Sequence, residues 1–245
     1  NDTAKQTECK LVVDVVAFAL PMVLKGLSSL AWDVPFNLCA ILFDNVCTNN
    51  CCSSNYAPEQ VYISLADGSD FSSMRVTWVT LKEAPGANVV YQLANGGAAQ
   101  TVAAQTSRTY TFAGWIGVVN TAVMTGLAPN TTYSYTVGAD AYNRSQSFSF
   151  TTFPANIGTP ERPLRVLNIA DMAYDQNSDM TVSRTMNRVR SGEVDMIIHN
   201  GDISYADGFM LHWDMFMRKM SPAAASVPYM TNPGNHELYA NFTAY

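Results

Sequence analysis

The feature that most constrains this chain is a change of hydrophobic period near residue 160. From about residue 58 to 155, apolar and polar residues alternate in short runs: Val61-Tyr62-Ile63-Ser64, Arg75-Val76-Thr77-Trp78-Val79, Val89-Val90-Tyr91-Gln92-Leu93, Thr109-Tyr110-Thr111-Phe112, Tyr133-Ser134-Tyr135-Thr136-Val137 and Ser147-Phe148-Ser149-Phe150. Period two is what a strand with one buried face requires. Ala66-Asp67-Gly68, Asn95-Gly96-Gly97 and Pro129-Asn130 are turn signals between the runs. The pattern predicts a β-sandwich of roughly 100 residues with Trp78 and Tyr133 in its core. From Leu164 the pattern is different. Leu164–Ala170, Val194–Asn200 and Val227–Thr231 read as strands, with helical patterns near Met180–Arg190 and Leu211–Met220 between them. Strands alternating with helices predict a parallel sheet, its strands buried. Pro154, Gly158, Pro160 and Pro163 mark the linker between the two regions.

The first 55 residues follow neither pattern. Val12, Val13, Val16, Leu20, Val23, Leu24 and Leu27 recur at helical spacing with Pro21 interrupting, and a second short helix is expected from Pro35 to Cys47. All five cysteines (Cys9, Cys39, Cys47, Cys51 and Cys52) fall here, which predicts a disulfide framework with one partner unaccounted for. The apolar run Leu11–Trp32 contains Asp14, Pro21 and Lys25, which argues against a simple membrane span. The chain does not open on a basic region followed by an apolar one, so no signal peptide is read. Asn130, Asn143 and Asn241 each begin an N-x-S/T sequon, as does Asn1. Sequons and cysteines together predict a secreted, cell-surface or acidic lumenal location. The net charge is −6 with 14% charged residues, which leaves no electrostatic footprint for nucleic acid.

A polar cluster follows each of the three later strands: Asp171-Met172-Ala173, then Gly201-Asp202-Ile203-Ser204-Tyr205-Ala206-Asp207, then Gly234-Asn235-His236-Glu237. Parallel sheets bind ligands beyond their carboxyl ends. Carboxylates with an amide oxygen and an imidazole form a ligand set that suits iron, manganese or zinc.

Gly201-Asp202-x-x-Tyr205 followed by Gly234-Asn235-His236-Glu237 resembles the signature of purple acid phosphatases, a branch of the calcineurin-like metallophosphoesterases. The resemblance extends back through Val76-Thr77-Trp78, Leu127-Ala128-Pro129 and Thr132–Gly138, which are similar to that family's fibronectin-III-like domain. It implies that Asp171 and Tyr205 bind Fe(III), that Asp202 bridges to a second divalent metal (Fe, Zn or Mn), and that Asn235 binds the second metal. It implies that His236 is catalytic, assisting the leaving group, and that metal-bound hydroxide attacks a small phosphorylated substrate, a monoester or phosphoanhydride. The family usually has Asp-x-Gly at the first cluster, where this chain has Ala173. It also takes three further histidines from later V-x-x-H and G-H-x-H motifs, which His199, His212 and His236 do not match. A C-terminal half or a partner chain is therefore expected to complete the site. Cys9-Lys10-Leu11 with Val34–Cys39 and Cys47 is similar to the second half of a saposin-like domain, which implies lipid contact through residues 11–47.

The chain thus reads as an α+β multidomain protein. It has a helical Cys-rich segment over 1–55, a fibronectin-III-like β-sandwich over 56–157, and the N-terminal half of an α/β metallophosphoesterase domain over 164–245. The function expected is a secreted di-metal acid phosphatase. The competing reading is a non-catalytic structural or adhesive cell-surface module on the same scaffold. His199, on an apolar strand, and His212, beside Trp213, read as packing residues; Asp207 and Glu237 read as supporting or capping groups.

Overall fold

The computed structural model describes residues 55–108, 115, 117–239 and 242. The Cys-rich helices, the saposin-like resemblance with its lipid contact, the run at 109–112 and the sequon residue Asn241 lie outside the described residues. From Tyr56 to Tyr245 the chain forms one unit.

Period-two patterning builds two four-stranded antiparallel sheets. The strands are β1 (Glu59–Leu65), β2 (Met74–Thr80), β3 (Asn88–Leu93), β4 (Gln100–Ala103), β5 (Thr106–Arg108), β6 (Val118–Met124), β7 (Thr132–Gly138) and β8 (Phe148–Thr151). One sheet has the order β1-β2-β6-β5 and the other β4-β3-β7-β8. Their alternate residues share one core: Ile63, Val76, Trp78, Val89, Ala122, Tyr135 and Val137 are all buried. Trp78 is fully buried as expected; truncation to Ala there would cost about 3–5 kcal/mol. Tyr133 is buried too, and its hydroxyl accepts from the Ala128 N–H at 2.9 Å.

The remaining strands are β9 (Val166–Ile169), β10 (Met196–Asn200) and β11 (Tyr229–Asn232), all parallel in the order β11-β10-β9. Helix α1 (Asp179–Arg190) joins β9 to β10, and α2 (Met210–Ala224) joins β10 to β11. Helix α1 carries Asp179 in its first turn and Arg188 and Arg190 in its last, each sign matching the helix dipole. Expected as a buried strand, β9 is instead the exposed edge of this sheet, with Val166 at 40% exposure and Leu164, just before the strand, at 38%. Among the described residues it pairs with β10 alone, so one side of its backbone ladder has no strand beside it.

The linker is anchored. Asp195, just before β10, accepts from Arg162 at 2.7 and 2.9 Å and from Arg165 at 2.7 Å. Burial opposes ionisation, but these hydrogen bonds outweigh it and hold the Asp195 carboxyl well below the usual carboxylate range. Helix α2 lies against β1. Gln60 and Trp115 donate to Asp214, Arg218 pairs with Glu59, and Ser221 donates to the Val61 carbonyl.

Candidate active site

The three polar clusters leave adjacent parallel strands in the same direction, so the backbone brings them to one edge. After β9 and β10 separate as strands, their loops stay paired. The N–H groups of Asp171, Met172, Ala173 and Tyr174 donate in turn to the carbonyls of Gly201, Asp202, Ile203 and Ser204, at 3.1–3.4 Å. Such an in-step ladder needs left-handed residues, and Asp171, Ala173, Asp202, Tyr205 and Asp207 all have φ between 46° and 66°. The loops after β10 and β11 meet more closely still. A Cβ on Gly201 would lie 2.8 Å from Gly234 Cα, and one on Gly234 would collide with Asp202. Glycine at both places is what allows this approach.

The side chains follow from these backbones. The Tyr205 hydroxyl donates to Asp171 Oδ1 at 2.8 Å. That bond favours the neutral phenol and, with some burial, pushes its pKa up to about 12. Asp202 Oδ1 accepts the backbone N–H of His236 at 3.0 Å. The ring of His236 lies 4.2 Å from that of Tyr205, centre to centre. His236 Nδ1 meets Asp207 Oδ1 at 2.6 Å, and this carboxylate raises the imidazole pKa above its ordinary value. With Nδ1 engaged, Nε2 is the nitrogen that can address a substrate. Asn235, exposed, opens the 3-10 turn Asn235–Glu237 that carries His236. A cavity of about 400 Å³ opens at Asp171 and Tyr205 and runs past Tyr174 to Ser178 and Thr181.

Two histidines stay out of the site chemistry. His199 is fully buried under it, with Nδ1 at 2.6 Å from the Tyr229 hydroxyl, and burial brings its pKa down to about 4. His212 stacks on Tyr174 with ring centres 3.6 Å apart, and burial lowers its pKa.

Among the described residues there is no group of three or more His, Cys, Asp or Glu placed to hold a metal ion. The donor set is nonetheless coherent: two carboxylates, a phenol and an amide on three neighbouring loops, all hard oxygen donors suited to iron, manganese or zinc. The sequence marks Asp207 and Glu237 as supporting or capping groups but does not give their partners. Asp207 holds the His236 ring. Glu237 is buried and accepts three backbone N–H groups: Asp202 at 2.8 Å, Ile203 at 2.9 Å and Gly234 at 2.7 Å. Its spacing from Gly234 carries a capping signal, but the longer reach to Asp202 and Ile203 leaves no local trace.

The parallel sheet delivers carboxylates and an Asn-His pair from successive strand ends, and residues 164–245 match the family model described as calcineurin-like phosphoesterase. Residues 58–152 match the model described as purple acid phosphatase, N-terminal domain. The chain belongs to the purple acid phosphatase family. It is 33% identical over 198 residues to probable purple acid phosphatase 20 of Arabidopsis thaliana, covering 77% of this chain and 42% of that protein. It is 28% identical over 205 residues to probable inactive purple acid phosphatase 27 of the same plant, covering 72% and 33%. A purple acid phosphatase from yellow lupin (Lupinus luteus) seeds has the same fold, with a TM-score of 0.63 at 23% identity over 74% of this chain and 36% of that one. The chain thus spans less than half the length of these relatives.

Proposed function

We propose that the protein to which this chain belongs is a secreted di-metal acid phosphatase that hydrolyses phosphate monoesters or phosphoanhydrides. The observation that carries this reading is the Tyr205 hydroxyl on the Asp171 carboxylate at 2.8 Å, two donors from different loops already converged. Asp171 and Tyr205 would hold Fe(III), Asp202 would bridge, and Asn235 would hold a divalent Fe, Zn or Mn. The metal pair, when bound, supplies Lewis-acid stabilisation of the phosphoryl oxygens and lowers the pKa of the attacking water. His236, kept protonated more readily by Asp207, would give its Nε2 proton or hydrogen bond to the departing oxygen. The remaining ligands would come from polypeptide beyond this half-domain. The boundaries 56–157 and 164–245 serve as the working domain limits. Exposed Asn130 and Asn143 suit glycosylation, which fits an extracellular or lumenal location. No helix among the described residues is long and apolar enough to cross a membrane.

The test is spectroscopic and kinetic on the full-length, iron-loaded protein. It should show a visible absorption band that Tyr205→Phe abolishes, together with hydrolysis of p-nitrophenyl phosphate that Asp202→Asn abolishes. A colourless iron-loaded protein with full activity would rule out the tyrosinate role.

A second reading, a non-catalytic module on the same scaffold, is favoured by Ala173 at the usual glycine position and by the relative named as probably inactive. Absence of hydrolysis by the metal-loaded full-length protein would select it.

A further inference from the structure

Glu237 is the one residue of the Gly234–Glu237 cluster whose side chain is buried, at 4% exposure. Among the described residues, no arginine, lysine or histidine contributes to its hydrogen bonds; its three bonded donors there are backbone N–H groups. Their positions matter more than their number. The Asp202 N–H shares a peptide group with the Gly201 carbonyl, which accepts from the Asp171 N–H at 3.4 Å. The Ile203 N–H shares a peptide group with the Asp202 carbonyl, which accepts from the Met172 N–H at 3.2 Å. Two parallel chains of aligned peptide groups therefore run from the first loop through the second and end on Glu237, one on Oε2 and the other on Oε1. The third donor, Gly234 N–H, ties Oε2 to the loop of Glu237 itself. In return the Asp202 carboxylate caps the His236 N–H of that same loop.

We infer that Glu237 is a positioning residue that locks all three donor loops into one unit, and through them sets the relative placement of Asp171, Asp202, Asn235 and His236. The inference rests on the metal-site reading above. A carboxylate at the N–H end of aligned peptides polarises each bond behind it. It also holds Asp202 in its left-handed conformation, φ 46°, which the isolated residue would leave. A glutamine in its place keeps the size but turns one oxygen into a donor, so one of the two chains faces an N–H pair with no acceptor.

The experiment compares Glu237→Gln and Glu237→Asp with wild type in the full-length protein. Mn(II) is titrated in and its free fraction read by electron paramagnetic resonance; cysteine thiolates have little affinity for so hard an ion. Amide hydrogen exchange is followed in parallel without metal. Glu237→Gln should weaken Mn(II) binding about 10–100-fold, with Glu237→Asp in between. Protection should fall together at Asp171, Met172, Asp202, Ile203 and Gly234 and persist at Val76 and Val137 in the sandwich core. Wild-type affinity and protection in Glu237→Gln would overturn the inference and leave the metal-site reading standing. Loss of sandwich protection in both variants would also overturn it, making Glu237 a general structural residue. Failure of the wild-type full-length protein to take up Mn(II) would overturn both.

Discussion

Ala173 holds φ at +66°, where a Cβ meets its own backbone and glycine would carry no such cost. The ladder to Ile203 requires that conformation, so the loop keeps it and the alanine bears the strain. Ala173→Gly should therefore stabilise the fold. The relief, less the extra chain entropy of glycine, comes to about 0.5–1 kcal/mol. For a unit of this size that is a rise of roughly 1–4 °C in Tm, read by thermal unfolding; an unchanged or lower Tm would mean the alanine is unstrained. The residue types of the site were legible because Asp, Tyr, Asn and His recur at strand ends in a fixed order. Their partners were not. Nothing around Asp207 marks it as the group that binds the His236 ring, because that contact closes over 29 residues of chain.

Elements were legible where burial and polarity agree. Strands β1, β2, β3, β7 and β8 show the contrast directly, and both helices of the parallel region begin close to where their patterns do. Strand β6 was missed because its contrast is inverted: its buried positions are Asn120, Ala122 and Met124, while Val118, Val119 and Val123 are only partly covered. Asn120 is tolerated inside because its amide donates to Thr80 Oγ1 at 3.1 Å. The linker was legible as a break in pattern but not as an anchor, because Asp195 reaches Arg162 across 33 residues. Asp195→Asn removes the charge that both arginines share. With the arginines partly exposed, the loss at neutral pH should be about 2 kcal/mol, or roughly 4–8 °C in Tm. The pKa of Asp195 is depressed by folding, so its contribution is present above the unfolded carboxylate range and fades as pH falls below about 4. The gap between variant and wild type should be narrower at pH 3 than at pH 7.

At the scale of the whole unit, α2 is common to both bodies. Phe216 and Met220 pack in the core of the parallel region, while Asp214, Arg218 and Ser221 reach β1 of the sandwich. The helix begins directly after the loop that carries Asp202, Tyr205 and Asp207, so the sandwich fixes that loop from behind. Asp214 is the centre of this junction. It is 4% exposed and accepts from Gln60 Nε2 at 2.7 Å and Trp115 Nε1 at 3.2 Å. Gln60 reaches it from a bulge in β1, with φ at +56°. Burial raises the Asp214 pKa; the Gln60 bond, Arg218 and the Trp115 bond oppose the rise, and Glu59 adds to it. A carboxyl raised by folding contributes fully in acid, and its contribution is lost as pH climbs from the unfolded carboxylate range, near ~4, through the raised folded value. Asp214→Asn stays neutral throughout and keeps an oxygen for one of the two donors. The variant should therefore gain on wild type between pH 4 and pH 7, by on the order of 1 kcal/mol, seen as a Tm difference that shifts in its favour with rising pH. A difference that stays constant over that range, or moves toward wild type, would mean that Asp214 is held ionised at the junction, with Arg218 as its effective partner.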